Sequence, residues 1–179
     1  MRVLVACEYS GIVRDAFTAR GHFAMSCDIL ETESDGEHFT GDVREVLDPI
    51  WSWDLMIAHP PCTYLANSGV SWLHRDTSRW PKLFDAADFF CELMAADIPM
   101  IAVENPIMHK YARRLVGFRQ DQVVQPWMFG HGEQKATCLW LKGLPHLRPT
   151  DIVEGREQRL HKLPPSDDRQ KLRSLTFTG

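Results

Sequence analysis

Cys62 follows two consecutive prolines, Pro60 and Pro61, and further along the chain Glu104 and Asn105 close the apolar run Met100 to Val103. Two prolines fix the backbone and remove two N–H donors, so the turn is stiff and aims the next side chain in one direction. A cysteine held this way is a nucleophile wherever its surroundings favour the thiolate. A glutamate at the end of an apolar strand is costly to bury as a charge, which directs it toward a cleft. Together they offer one site a nucleophile and an acid. Each alone has a plainer use, as an inert cysteine behind a turn or as a helix-capping carboxylate. A metal centre built on His59 and Cys62, with His74 or Cys91, lacks a second closely spaced pair of ligands, so no metal is expected.

The elements that must position these residues alternate between strand and helix. Arg2 to Cys7 is a buried strand by length, and after Glu8-Tyr9-Ser10-Gly11 the apolar residues Ile12, Val13, Ala16 and Phe17 recur at helical spacing. Arg20-Gly21-His22 stops that helix, and Phe23 to Cys27 is a second strand ending at Asp28. The polar, acidic stretch Glu31 to His38 reads as a loop. Further strands are expected at Trp53 to Ala58, Pro99 to Val103, Gln122 to Gln125 and Ala136 to Leu141, with helices over Leu83 to Ala96 and about Met108 to Val116. This alternation predicts an α/β protein with an open, doubly wound, mostly parallel sheet. Glu8, Asp28, His59 to Cys62 and Glu104-Asn105 fall just past the carboxyl ends of these strands, the edge where such sheets bind ligands.

With 179 residues, 44% hydrophobic and 25% charged, the chain fits one folded domain. The pattern divides it into a core over residues 1–144 and an extended, irregular segment over 145–179 that packs on the core, with no separate recognition domain. No apolar run reaches the roughly 20 residues of a membrane span, and the first residues lack a signal peptide's apolar stretch, so a cytoplasmic protein is expected. Cys7, Cys27, Cys62, Cys91 and Cys138 are scattered, which suits free thiols rather than a disulfide framework. The net charge of −4 is uneven: residues 1–60 carry 4 basic and 11 acidic side chains, and residues 148–179 carry 7 and 5. A general polyanion binder is thereby disfavoured.

Taken in order, Tyr9-Ser10-Gly11, Asp28, Gly41-Asp42-Val43, Pro60-Pro61-Cys62 and Val103-Glu104-Asn105-Pro106 resemble the motifs of DNA (cytosine-5) methyltransferases. The stretches IAHPPCTYL and IAVENPIMHKY resemble those of small methyltransferase-like proteins of phages and prophages. The resemblance covers roughly residues 2–143. It implies the Rossmann-like fold of S-adenosylmethionine-dependent methyltransferases, with that cofactor and with DNA or a cytosine nucleotide as substrate. By the same resemblance Tyr9, Ser10, Gly11, Asp28, Asp42 and Pro60 would bind cofactor, Cys62 and Glu104 would be catalytic, and Asn105 and Lys135 would touch substrate. The cofactor's amino and carboxylate groups would sit at the start of the first helix, where N–H donors are free.

The departures from the family pattern are as specific as the matches. Val13 and Arg14 stand where the family loop continues with glycine. Of the family's Gln-x-Arg-x-Arg motif, only Lys135 keeps a charge. Without a recognition domain, phosphate contacts would fall to Arg113, Arg114, Arg119, Arg148, Arg156, Arg159, Arg169 and Arg173. These departures motivate the alternative of a non-catalytic relative that binds nucleotide, cofactor or a partner protein. An amino-methyltransferase is a third reading, disfavoured because those enzymes place an aromatic residue where Cys62 stands.

Overall fold

The computed structural model describes residues 1–155. Its elements run β1 (Arg2–Ala6), α1 (Ile12–Thr18), β2 (Phe23–Asp28), β3 (His38–Thr40), β4 (Leu55–Ala58), α2 (Val70–Leu73), α3 (Arg79–Ala95), β5 (Met100–Pro106), α4 (Lys110–Val116), β6 (Gln122–Val124) and β7 (Thr137–Lys142). The strands form one sheet in the order β3-β2-β1-β4-β5-β7-β6. β1 to β5 are parallel, whereas β7 runs antiparallel to both β5 and β6. The chain reverses its direction of winding between β1 and β4, so the loops after those two strands diverge and leave a crevice.

β1 is apolar on both faces because helices cover both sides of the sheet there, while β4 and β5 have a helix layer on one side. Leu4, Ala6, Met56, Ala58, Ile101, Val103 and Trp140 face α3 and α4. Leu83, Ala87 and Phe90 fall at i, i+4 and i+7 on α3, a single stripe, and Phe90 meets Trp140 edge to face with ring centroids 4.9 Å apart. On the opposite side Val3, Val5, Ala24 and Leu55 pack under Val13 and Phe17 of α1. Beyond α1 this side opens into an apolar groove of about 360 Å³ lined by Leu55, Ile57, Ala102, Leu139 and Leu141, with His59 and Glu104 at one end.

Three sequence expectations need correction. Strand β3 is not among the expected strands; it begins at His38, the last residue of the stretch read as loop, and pairs Ser26 to His38 and Asp28 to Thr40. Helix α3 starts at Arg79, earlier than the apolar stripe alone suggests, because Pro81 occupies its first turn, where a missing N–H costs no hydrogen bond. β5 continues to Pro106, so Glu104 and Asn105 lie within the strand, their backbones paired with Leu139 and Cys138 of β7. Part of segment 145–179 is described: Gly130 N–H donates to the Asp151 carbonyl at 2.8 Å, tying the segment to the β6–β7 connection. The remainder of that segment, with Arg156, Arg159, Arg169 and Arg173, lies outside the described residues.

Arg14 is the least expected core residue. It is 1% exposed, and its guanidinium donates to the Asp15 carboxylate, the hydroxyls of Ser26, Thr32 and Ser34, and the carbonyls of Ser34 and Asp35. The acidic loop after β2, which holds no helix, is gathered around this one cation and tied to the sheet edge by the Glu33 N–H bond to the Tyr9 carbonyl and the Ser26 N–H bond to the Glu37 carbonyl. Replacing Arg14 with Met should destabilise the fold by about 3 kcal/mol, because it leaves buried carbonyls and hydroxyls without a donor. Urea denaturation would measure the loss, and amide hydrogen exchange should show faster opening at residues 31–37 than in α3.

Candidate functional site

The site grows from the carboxyl edge of the central strands. At the end of β1, Cys7 adopts a left-handed backbone (φ 59°), unusual for a residue with a side chain, and turns the chain sharply. Glu8 folds back so that its carboxylate accepts from the N–H groups of Val13 (2.6 Å) and Arg14 (3.2 Å). The donors expected to be free at the start of α1 are thus already engaged by the protein. Gly11 is buried at φ 75°, and a Cβ there would meet the Ser34 hydroxyl and the Arg14 guanidinium. It therefore serves the packing of the Arg14 loop and lines no cavity described below.

Two cavities meet at Cys7. The larger, about 480 Å³, has Cys7 and Cys27 at its floor and Ile29, Val43, Pro61 and Phe89 among its walls, with Asp28, Asp42, Arg44, Lys82 and Asp85 as polar lining. The smaller, about 180 Å³, is lined by Glu8, Tyr9, Ser10, Ile12, Val13 and His59. Asp28 and Asp42 thus share one cavity, while Tyr9 and Ser10 line the other. One Asp28 oxygen accepts from the Leu30 N–H at 3.0 Å. Asp42 caps the turn Val43–Val46 and pairs with Arg44 at 3.0 Å; the Arg44 backbone N–H, then its guanidinium, hold this carboxyl below its ordinary range. Burial, reinforced by the nearby Asp28 carboxylate, pushes the Cys7 and Cys27 thiols up to about 12, so both are neutral, apolar floor.

The second half of the site is the loop from His59 to Asn67. Asn105 is 1% exposed, and its amide donates to the Pro60 carbonyl at 3.0 Å. The expected substrate contact is therefore turned into the core, where it braces the proline turn. Pro60 is likewise buried behind this bond, and Pro61 is the proline that lines the larger cavity. Because neighbours on a strand point to opposite faces, burying Asn105 sends Glu104 the other way, where it lies 3.5 Å from His59. Cys62 and Glu104 come within electrostatic reach: burial raises the thiol above its ordinary value, the Glu104 carboxylate raises it further, and Lys135 acts in the opposite direction.

His109 completes the clamp and carried no sequence signal beyond its place just before a helical stripe. Its Nδ1 accepts from the Ala112 N–H at 3.1 Å, capping α4, so the proton sits on Nε2, which donates to the Tyr64 carbonyl at 2.8 Å. Its backbone N–H bonds the Leu65 carbonyl, and Asn67 N–H bonds that of Ile107. Four backbone groups on either side of Cys62, the carbonyls of Pro60, Tyr64 and Leu65 and the Asn67 N–H, are thus fixed to β5 and its connection to α4. Of the residues considered as metal ligands, His59 pairs with Glu104 and His74 with the Tyr111 hydroxyl. Among the described residues no group of three or more His, Cys, Asp or Glu is placed to hold a metal, and no helix is long and apolar enough to cross a membrane.

Burial lowers the His109 pKa from its ordinary 6.5, against the pull of its two backbone hydrogen bonds. A histidine depressed in the folded state binds fewer protons there than when unfolded, so its contribution is complete above pH 6.5 and is lost as pH falls below it. The urea midpoint should drop between pH 7.5 and 5, and His109→Gln should flatten that dependence. Asn105→Ala should destabilise by about 1–3 kcal/mol through the orphaned Pro60 carbonyl.

No family model and no curated protein matches the chain. Two solved structures share its fold. One is assigned as a DNA modification methyltransferase encoded within a prophage of E. coli, with TM-score 0.51 and 16% identity, covering 92% of this chain and 55% of that one. The other is the methyltransferase EhMeth of Entamoeba histolytica, with TM-score 0.53 and 13% identity, covering 93% and 63%. The chain spans less than two thirds of the length of either, and at these identities the shared property is the fold.

Proposed function

We propose that this chain, which has the fold of those methyltransferases, is an S-adenosylmethionine-dependent enzyme that modifies C5 of cytosine in DNA. The observation that carries this reading is the Cys62 thiol, within electrostatic reach of the Glu104 carboxylate and on the loop whose Pro61 lines a cavity bearing three further carboxylates, Asp28, Asp42 and Asp85. The donor set suits the cofactor. The larger cavity is within the range of small-molecule sites and has an apolar interior for an adenine ring. Asp28 would accept from ribose hydroxyls and Asp42 would face the adenine side, while Tyr9, Ser10 and the Glu8 carboxylate would receive the cationic amino-acid end. Bound there, the cofactor supplies an electrophilic methyl group.

The protein's own task is to make a poor carbon nucleophile reactive. The Cys62 sulfur gives an electron pair to C6 of cytosine; the C5–C6 π pair moves between C4 and C5, and the C4–N3 π pair moves onto N3. Glu104 gives N3 the proton that this pair needs. C5 is then an enamine carbon able to take the methyl group. Loss of the C5 proton to solvent restores the C5–C6 double bond, expels the Cys62 thiolate, and returns the N3 proton to Glu104. Lys135 is the cation that favours the thiolate before and after.

Transfer of labelled methyl groups to cytosine-containing DNA, with mass analysis of the nucleosides, tests this. Wild-type protein should yield 5-methylcytosine. Cys62→Ser should reduce transfer to background while leaving cofactor affinity intact, and Glu104→Gln should lower turnover about 100-fold. With the thiol raised above its ordinary 9.0, the rate should climb with pH through the alkaline range, and Lys135→Met should displace that limb upward. Unchanged transfer in Cys62→Ser, or an N4- or N6-methylated product, would exclude the C5 mechanism. Cofactor or nucleotide binding without transfer to any substrate would favour the non-catalytic reading.

A further inference from the structure

We propose that the surface formed by α2, the start of α3 and α4, beside the Cys62 loop, binds single-stranded DNA, stacking a base on Trp72 and holding phosphates with Arg75, Arg79 and Lys110. The choice of DNA rests on the function proposed above; the affinity for an unpaired strand does not.

Charge singles out this face. Residues 70–82 and 110–116 hold six basic side chains, Arg75, Arg79, Lys82, Lys110, Arg113 and Arg114, and one acid, in a chain whose net charge is −4. The acid, Asp76, accepts from the N–H and hydroxyl of Ser78 and so is engaged at the start of α3. The two helices form one surface, because Tyr111 of α4 meets Trp80 of α3 at 5.1 Å and His74 at 5.6 Å between ring centroids.

Cations and aromatic rings are interleaved across it. The Arg75 guanidinium lies 5.4 Å from the Trp72 ring, Arg79 lies 4.7 Å above Tyr64, and Lys110 lies 4.8 Å above Tyr111. Trp72 is 53% exposed, an unusual position for so large an apolar ring. A basic track with exposed ring faces is the physical requirement for holding an unpaired strand, since phosphates need cations and bases need stacking partners. A duplex presents phosphates and base edges but no free base faces, so an exposed ring gains little from it.

The surface is also fixed relative to the proposed nucleophile. Tyr64 is two residues beyond Cys62, and its carbonyl is held by His109. Gly69 permits the turn into α2 to lie directly on the loop, where a Cβ would come within 2.8 Å of the Thr63 carbonyl oxygen. Trp72 and Cys62 therefore belong to one braced unit.

Fluorescence anisotropy with a labelled DNA strand of about 12 nucleotides, its duplex and the RNA strand of the same sequence tests the proposal without cofactor or turnover. The DNA strand should bind at least several-fold more tightly than the duplex. Trp72→Ala should weaken strand binding about 10-fold and leave duplex binding unchanged, and Trp72→Phe should retain most of the affinity. The pair Arg75→Gln and Lys110→Gln should weaken binding of any DNA and flatten its salt dependence, whatever the outcome at Trp72. Far-UV circular dichroism verifies folding of each variant. Duplex bound as tightly as the strand, or strand affinity unmoved in both sets of variants, overturns the proposal; preference for the RNA strand overturns the assignment to DNA. Strand binding without methyl transfer would refute the proposed reaction alone, and methyl transfer to duplex without strand preference would refute this surface alone.

Discussion

The site depends on a buried hydrogen bond between the Asn105 amide and the Pro60 carbonyl. A turn made of two prolines has a stiff backbone and few donors of its own, so something outside it must satisfy its buried carbonyl. Asn105 does so from the neighbouring strand. Because side chains alternate along β5, that same bond commits Glu104 to the opposite face, beside His59. The antiparallel register with β7, Glu104 opposite Leu139 and Asn105 opposite Cys138, locks the choice. A slip of one residue would bury the carboxylate and expose the amide.

A parallel economy governs the other half of the edge. Where the resembled family uses several glycines to approach a cofactor closely, this chain uses one, Gly11, and fills the neighbouring space with Arg14. The loop after β2 is shaped by its bonds to that guanidinium, and the start of α1 by the Glu8 carboxylate. Helix-start N–H groups that could have bound an external anion are thereby satisfied internally. What remains available is a carboxylate-bearing cavity, better suited to hydroxyls and cations than to phosphate.

Electrostatics keep the three cysteines of the region apart in character. Cys7 and Cys27, pushed up to about 12 beside Asp28, are inert floor. Cys62 is raised as well, but it alone has Lys135 working against that shift, and it sits on the one loop braced from both sides. Cys7 has Arg44 acting in the same sense, but the Asp28 and Asp42 carboxylates beside it work the other way, so Cys62 is the thiol with both a cation nearby and a fixed direction.

The sequence by itself determined the α/β class, the main strands and the set of residues at the carboxyl edge. Buried strands and amphipathic helices write their periods locally, and a Pro-Pro-Cys turn is stiff in any context. It did not reveal the short pairing at His38–Thr40, the extension of β5, the bracing role of Asn105 and His109, or the burial of Arg14. Each of those depends on a partner distant in the chain: Asp28 for Thr40, β7 for β5, Pro60 for Asn105, Tyr64 for His109 and Ser34 for Arg14. Likewise nothing in the sequence joins Trp72 and Arg75 to Lys110. Only the packing of α4 against α3, through Tyr111 and Trp80, makes them one face beside Cys62. Residue type and local period decide what an element is; which side chains become partners is decided by where the sheet brings their backbones together.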